Sequence, residues 1–106
     1  MAKYLFEARY TTEGAKGVGR EGGSGRRAAV AKMAEGLGGK LESFYFAFGE
    51  VDAYVVVDFP DSISAAAAAL AINQTGAVGV KTAVLISPED MDKAAKKSVE
   101  YRAPGR

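Results

Sequence analysis

Four charged side chains are placed where a β-sheet would gather them on one face. Glu7 and Arg9 alternate with apolar residues in a first strand, and Asp58 and Lys81 take equivalent positions in two later strands. We predict that these four side chains cluster near the ends of the first and third strands. Partly buried there, they would shift one another's pKa values and could hold or deprotonate a small polar ligand. The sequence favours the other interpretation, a salt-bridge network at a subunit contact, and leaves the ligand-binding role open.

A second acid and a phenol accompany this cluster. Asp52 and Tyr54 are two residues apart, so strand alternation predicts that they share the same face. Asp52 has a competing role, because it follows the break at Gly49-Glu50 and aspartate readily caps a turn through its side-chain oxygen. The sequence favours the turn role and leaves the ligand-binding role open.

Two residue types are missing, and their absence restricts the chemistry. The chain has no cysteine, which excludes disulfides, thiolate nucleophiles and Cys-ligated zinc or iron–sulfur sites. It has no histidine, which removes the usual general base and the commonest zinc ligand. We expect no metal and no cofactor, and any catalysis must use carboxylates, Lys, Arg, Tyr or backbone groups, or borrow a cofactor.

Residues 11–25 are rich in glycine, and the run contains G-x-G-x-x-G from Gly17 to Gly22. This motif weakly suggests a dinucleotide site, but six residues separate it from the preceding strand, whereas the true motif follows its strand directly. Because glycine disfavours helix, we predict a loop or a frayed helical turn for residues 11–25. Such a segment would serve as a plain connection or as a flexible lid. Arg26 and Arg27 follow in the first turn of the next helix, where cations are unfavourable, which points weakly to an anion site. The sequence favours the simpler interpretation that both are solvated surface charges.

The hydrophobic pattern predicts the remaining elements. Strands are expected at 3–10, 40–48, 51–59 and 78–86, and helices at 24–37, 63–74 and 88–98. Ser24 is expected to cap the first of these helices, whose buried face would carry Val30, Met33, Ala34 and Leu37. The second would bury the face that carries Ile63, Ala67, Leu70 and Ala71.

This order is β-α-β-β-α-β plus a terminal helix, the ferredoxin-like plan of an α+β protein. We expect the first and third strands to be central and parallel, and the fourth to run antiparallel beside the first. Both main helices then cover one side of the sheet, and the chain leaves the other side bare. That side carries Leu5, Tyr54, Val56 and Leu85, too apolar for free solvation. We therefore expect it to be covered by a second copy of the protein or by a ligand.

Length and charge set the broad class. A chain of 106 residues with 48% hydrophobic and 25% charged residues predicts one soluble domain spanning 1–106. A net charge of +1 argues against nucleic acid as the partner. No apolar run reaches the roughly 20 residues of a membrane span, so we expect no membrane partner and a cytoplasmic location.

The chain resembles the GYD domain family of small bacterial and archaeal proteins. The resemblance is carried by KYLFEARYTTEG at the start, EGGSGRRAAVAKMAEGLGGKLESFYFAFGEVDAYVVVDFPD in the middle, and VKTAVLISPEDMDKAAKK and SVEYRAPG toward the end. The feature behind the family name corresponds to Gly49-Glu50-Val51-Asp52, with Val51 where the aromatic residue usually stands. The resemblance implies a ferredoxin-like domain related in shape to dimeric α/β barrels. It carries no assigned activity and transfers no catalytic residue.

These observations lead to three hypotheses about function. The first is a domain that self-associates through its sheet and binds a small polar or anionic ligand. The second is a cofactor-free enzyme of the monooxygenase or isomerase type, in which Arg9, Asp52, Tyr54 or Asp58 acts on an activated carbonyl or phenolic substrate with a carboxylate as base. The third is a structural or stress-associated assembly protein with no ligand. Whether the chain is an enzyme is left open by its sequence.

Overall fold

A four-stranded antiparallel sheet with helices against one side forms the body of the molecule. The computed structural model describes all 106 residues. In chain order its elements are β1 (Ala2–Tyr10), α1 (Thr12–Glu21), α2 (Gly23–Gly36), β2 (Lys40–Phe46), β3 (Ala53–Phe59), α3 (Ser62–Gln74), β4 (Val78–Leu85) and α4 (Pro88–Ala95). The strand order is β2-β3-β1-β4, which confirms the α+β, ferredoxin-like plan with a C-terminal helix.

Strand direction corrects one expectation. β1 and β3 are central as predicted, but they pair antiparallel, with Phe6 opposite Val55. The parallel prediction was wrong because the hairpin between β2 and β3 reverses the chain, so that β3 runs against both β2 and β1. β4 runs antiparallel beside β1, as predicted.

The core lies between the sheet and the two helices α2 and α3. The sheet contributes large side chains and the helices mostly small ones; the buried residues are Tyr4, Phe6, Ala8, Val30, Ala34, Ala53, Val55, Val57, Phe59, Ala65, Ala68 and Val78. Phe59 is at the centre, with the rings of Tyr4 and Phe6 at 6.1 and 6.2 Å between centroids. The predicted face of α2 is therefore confirmed, since Met33 and Leu37 also pack against this core.

The glycine-rich segment contains a helix, which contradicts the predicted loop. Thr11 caps α1 through its side-chain oxygen, which accepts a hydrogen bond from Gly14 N–H at 3.3 Å. Gly14 then lets the helix lie directly on the backbone of Ala77, where any Cβ would overlap the carbonyl oxygen. This anchoring offsets the low helix propensity of glycine. Gly22, with φ of 83°, separates α1 from α2.

Helix boundaries bring two further corrections. Ser24 does not cap α2, because the helix begins at Gly23 and its cap position is Gly22, which offers no side chain. In α3 the buried residues are Ala65 and Ala68, whereas Ile63 is 78% and Leu70 62% exposed. The predicted face was wrong because this helix is apolar all round, so spacing does not single out one side.

The central hairpin is joined by a longer connection than predicted. β2 ends at Phe46 and β3 begins at Ala53, so residues 47–52 form a loop in place of a tight reversal at Gly49-Glu50. The loop is held by Asp52, whose N–H donates to Ala8 O and whose carbonyl accepts from Ala47 N–H, each at 2.8 Å.

The second side of the sheet is left bare. We call it the open face: the side of β1, β3 and β4 that carries Leu5, Glu7, Tyr54, Val56 and Lys81. The C-terminal segment does not cover it, because every residue from Lys81 to Arg102 is exposed and no residue of α4 is buried. The segment extends from the body, which gives a radius of gyration of 16.6 Å against about 13 Å for a compact chain of this length. No helix combines the length and apolar character that crossing a bilayer requires.

Candidate functional site

A row of polar side chains crosses the open face. In the sheet register Tyr45 of β2 lies opposite Tyr54 of β3, Tyr54 opposite Glu7 of β1, and Glu7 opposite Lys81 of β4. Directly opposed residues have Cβ atoms about 4.5–5.5 Å apart, so this polar row is continuous. Three of the predicted site residues, Glu7, Tyr54 and Lys81, are therefore neighbours. Tyr54 is 41% exposed.

Arg9 extends the polar row toward the hairpin loop. Together with Glu7, Lys81 and Glu50 it lines a shallow cavity of about 350 Å³. No ion pair within 4.0 Å forms among these four charges, since the ion pairs of the chain involve only Lys3 and Lys93 as cations. The cavity thus presents two cations and two carboxylates with their charges free to meet a ligand or a partner.

Asp58 lies apart from this row. It is paired with Lys3 at 3.0 Å, and Lys3 also contacts Glu42 at 2.6 Å. The hydrogen bonds to Glu42 and to Asp58 raise the pKa of Lys3 above its usual value. Asp58 is four residues along β3 from Tyr54, about 13 Å at 3.3 Å per residue. The predicted cluster is therefore divided, and Asp58 belongs to a separate surface ion pair.

Asp52 has a structural role different from the predicted turn cap. Its Oδ2 accepts a hydrogen bond from the N–H of Tyr10 at 2.8 Å, which ties the end of β1 to the hairpin. Because β3 begins only at Ala53, the alternation that would place Asp52 beside Tyr54 does not apply. Asp52 instead lines a groove together with Tyr10. Asp52 and Tyr54 therefore do not share a site.

A second concave region lies where β1 ends. The Tyr10 cleft, about 470 Å³, is lined by Tyr10, Glu13, Arg20, Glu21 and Arg26 with the backbone at 75–78. The sequence suggested Arg26 but missed Tyr10, which alternation assigned to the apolar core face. Its position in the sequence could have identified Tyr10, because it is the last residue of a strand and directly precedes a helix cap. At this point α2 and α3 no longer cover the sheet.

Burial governs the chemistry of Tyr10. Removal from solvent raises the pKa of its phenol above the usual value of 10.0; Arg26 opposes this shift, and the charges of Asp52 and Glu21 add to it. The phenol is consequently protonated at neutral pH and available as a hydrogen-bond donor. Arg26 is partly buried beside it and makes no ion pair within 4.0 Å.

Arg27 does not contribute to an anion site in the cleft, and the glycine motif does not form a dinucleotide site. Arg27 is exposed and lines none of the cavities described here. Gly17 and Gly19 lie inside α1 and not in a loop before a helix, so the motif lacks the strand-to-helix turn that cradles a pyrophosphate.

An aromatic groove adjoins the cleft. It has a volume of about 540 Å³ and is lined by Tyr10, Ala15, Val18, Gly23, Phe46, Ala47, Phe48 and Asp52. The rings of Tyr10 and Phe46 are 6.4 Å apart, and Phe46 lies 5.0 Å from Phe44. Phe48 is wholly exposed at the rim, an unfavourable position for so large an apolar side chain.

The residues suggested for catalysis do not converge. Arg9 and Tyr54 lie in or beside the polar row, Asp58 is bound to Lys3, and Asp52 is held by Tyr10 N–H near the other face. No group of three acidic side chains is placed to hold a metal ion. The four residues suggested for catalysis are therefore not brought together in one site.

Comparison with known protein families gives one match. The model of the family described as the GYD domain matches residues 4–95 of the 106-residue chain, from the third residue of β1 to the end of α4. Comparison with curated proteins finds no match, and comparison with solved structures finds none.

Proposed function

The chain belongs to the GYD domain family, and on that premise we propose that it is a small self-associating domain. Two copies pair through their open faces and enclose a binding site for a small polar ligand along the polar row. The proposal assigns no reaction to the site.

The observation that carries this proposal is the bare apolar surface of the sheet. Leu5 and Val56 are directly opposed across β1 and β3, and Ala83 continues the same line on β4. Nothing in the chain lies over them, because α2 and α3 pack on the other side and α4 buries no residue. Sheets that leave an apolar face uncovered are stabilised by packing on a second layer about 10 Å away.

The polar row supports the ligand-binding part. A purely apolar contact would not need Glu7, Lys81 and two tyrosines across its middle, since buried charges are costly without partners. Between two sheets these groups would face a shared interior with lowered dielectric, where hydrogen bonds to a small polar molecule are strong.

Native mass spectrometry of gently purified protein tests both parts. We expect the wild type to appear as a dimer or larger, with a bound small molecule. Val56→Asp places a charge in the centre of the contact and is expected to give monomers without the ligand. Val56→Thr keeps the shape of the side chain, and Ile63→Asp adds an acid to the opposite side of the molecule; both controls should remain oligomeric.

Different outcomes reject different parts. A wild-type monomer at micromolar concentration would reject pairing through the open face. A dimer that resists Val56→Asp but dissociates with Ile63→Asp would move the contact to α3. A dimer that carries no small molecule would reject the ligand and leave the structural role.

A further inference from the structure

The Tyr10 cleft and the aromatic groove are adjacent, and they share Tyr10 and Val18. We propose that together they bind a small aromatic monocarboxylate, with the carboxylate at Arg26 and Tyr10 and the ring between Phe46 and Phe48. This site goes beyond the proposed function, because it lies on the helix side of the sheet and is complete within one chain.

Arg26 supplies the charge that selects a carboxylate. Its guanidinium is partly buried in the first turn of α2 and has no acidic partner within 4.0 Å. A planar guanidinium matches a carboxylate with two parallel hydrogen bonds. The Tyr10 phenol beside it keeps its proton at neutral pH and can donate a further hydrogen bond to the same group.

The acidic lining limits the charge of the ligand. Arg20 and Arg26 contribute two positive charges to the cleft, and Glu13 and Glu21 contribute two negative ones. A phosphate monoester, with about −1.5 to −2 charges at neutral pH, would be repelled by the two glutamates. A monoanion that reaches only Arg26 and Tyr10 fits this arrangement better, so we infer a carboxylate and not a phosphate.

The apolar half favours an aromatic body. Six of the eight residues around the groove are hydrophobic, and Tyr10, Phe46 and Phe48 are aromatic. The Tyr10 and Phe46 rings are tilted by 31° at 6.4 Å, within the range of favourable ring–ring contacts, which extends to about 7 Å. A ligand ring beside them would also cover Phe48. The volume of each part, about 470 and 540 Å³, is typical of small-molecule sites.

Titration with naphthoate tests this site, because the chain has no tryptophan to interfere with naphthoate fluorescence. Wild type should bind naphthoate saturably and bind the neutral amide, naphthamide, much more weakly. Arg26→Gln should weaken naphthoate binding roughly ten- to a hundredfold. Phe48→Ala, at a wholly exposed position that cannot affect the core, should weaken it about two- to tenfold.

Arg27→Gln is the matched control, since it removes the neighbouring exposed arginine and should leave binding unchanged. Binding should also persist in Val56→Asp monomers, which separates this site from pairing through the open face. The proposal is overturned if naphthoate does not bind, if naphthamide binds equally well, or if Arg27→Gln weakens binding as much as Arg26→Gln. It is also overturned if Phe48→Ala has no effect.

Discussion

Arg26 and Arg27 are adjacent in α2 but lie in different surroundings. Arg26 lies at the end of the first turn of α2 and Arg27 begins the next turn, and the sequence offered both as an anion or lid site. Successive residues of a helix point about 100° apart, so one arginine enters the Tyr10 cleft and the other faces solvent. The sequence could identify both arginines as candidates for an anion site. Which of them lines the cleft depends on how α2 packs on the sheet, and this cannot be determined from the sequence.

Tyr10 could not be recognised because its type and spacing match the core. Tyr4, Phe6 and Ala8 on the same face are buried, and Tyr10 continues their alternation. It becomes a site residue only because the core ends there and the break at Gly22 between α1 and α2 leaves a concavity.

The titration of Tyr10 gives a prediction at this scale. Because burial raises its pKa in the folded protein, the unfolded chain loses the phenol proton first as pH rises. The stabilisation from the neutral phenol is complete below the unfolded pKa of about 10 and is lost as pH rises through the higher folded value. Tyrosinate absorbance can be titrated against pH in the wild type and in Tyr10→Phe. The difference between the two curves reports the ionisation of Tyr10, and its midpoint should lie above 10.

Unfolding measurements provide the companion test for Tyr10. The free energy of unfolding of the wild type should fall more steeply above pH 10 than that of Tyr10→Phe, which lacks the ionising group. A difference titration with its midpoint at or below the ordinary tyrosine value would show that the phenol is solvated and is not a buried donor.

At the scale of elements, local propensity failed where tertiary contacts compensate. Glycine content predicted a loop for residues 11–25, yet α1 forms because Thr11 caps it, and the N–H of Thr11 also donates to Ala77 O at 3.0 Å. Such a long-range anchor leaves no signal in a local window. The three other helices were predicted to within three residues at their ends, because each has strong turn residues at one or both of its ends.

Gly14 and Gly17 allow a matched test of this anchor. A Cβ on Gly14 would overlap the carbonyl of Ala77, whereas a Cβ on Gly17 meets no atom within 4 Å. Gly14→Ala should lower the free energy of unfolding by about 1–3 kcal/mol. Gly17→Ala should raise it by up to about 1 kcal/mol through helix propensity. Urea unfolding at equal protein concentration measures both, and equal stabilities for the two variants would contradict close packing of α1.

α3 shows a different limit of sequence analysis. Its alanines favour helix strongly, and its bounds were predicted well. An apolar pattern without a polar side cannot identify the buried face, so the choice of Ala65 and Ala68 depends on how closely the backbone approaches the sheet. The exposed Ile63 and Leu70 remain a second apolar surface of the molecule.

At the scale of the whole molecule, element order was sufficient to predict the order of the strands in the sheet, but the predicted parallel direction of β1 and β3 was wrong. Connections in this plan fix β1 and β3 at the centre and place α2 and α3 on one side, and the structure has this arrangement. The division of the charged cluster could not be predicted, because it depends on register: Glu7 lies opposite Tyr54, while Asp58 lies opposite Lys3. Pairing of two open faces remains a prediction.

The C-terminal segment shows that the isolated chain leaves much of its surface without a partner. α4 is a capped helix of eight residues that buries none of them, and helices of this length are marginal in water without packing. Met91 in this helix and Tyr101 in the tail that follows it are both exposed. A single copy therefore leaves both the open face and this segment without cover.

The mass of the wild-type protein in solution tests the central claim most directly. Sedimentation equilibrium over a range of micromolar concentrations should give a dimer or a larger assembly of the 11.1 kDa chain, because the open face is too apolar to be left in water. A soluble, concentration-independent monomer would contradict this account, since the bare side of the sheet would then be stable in solvent by itself.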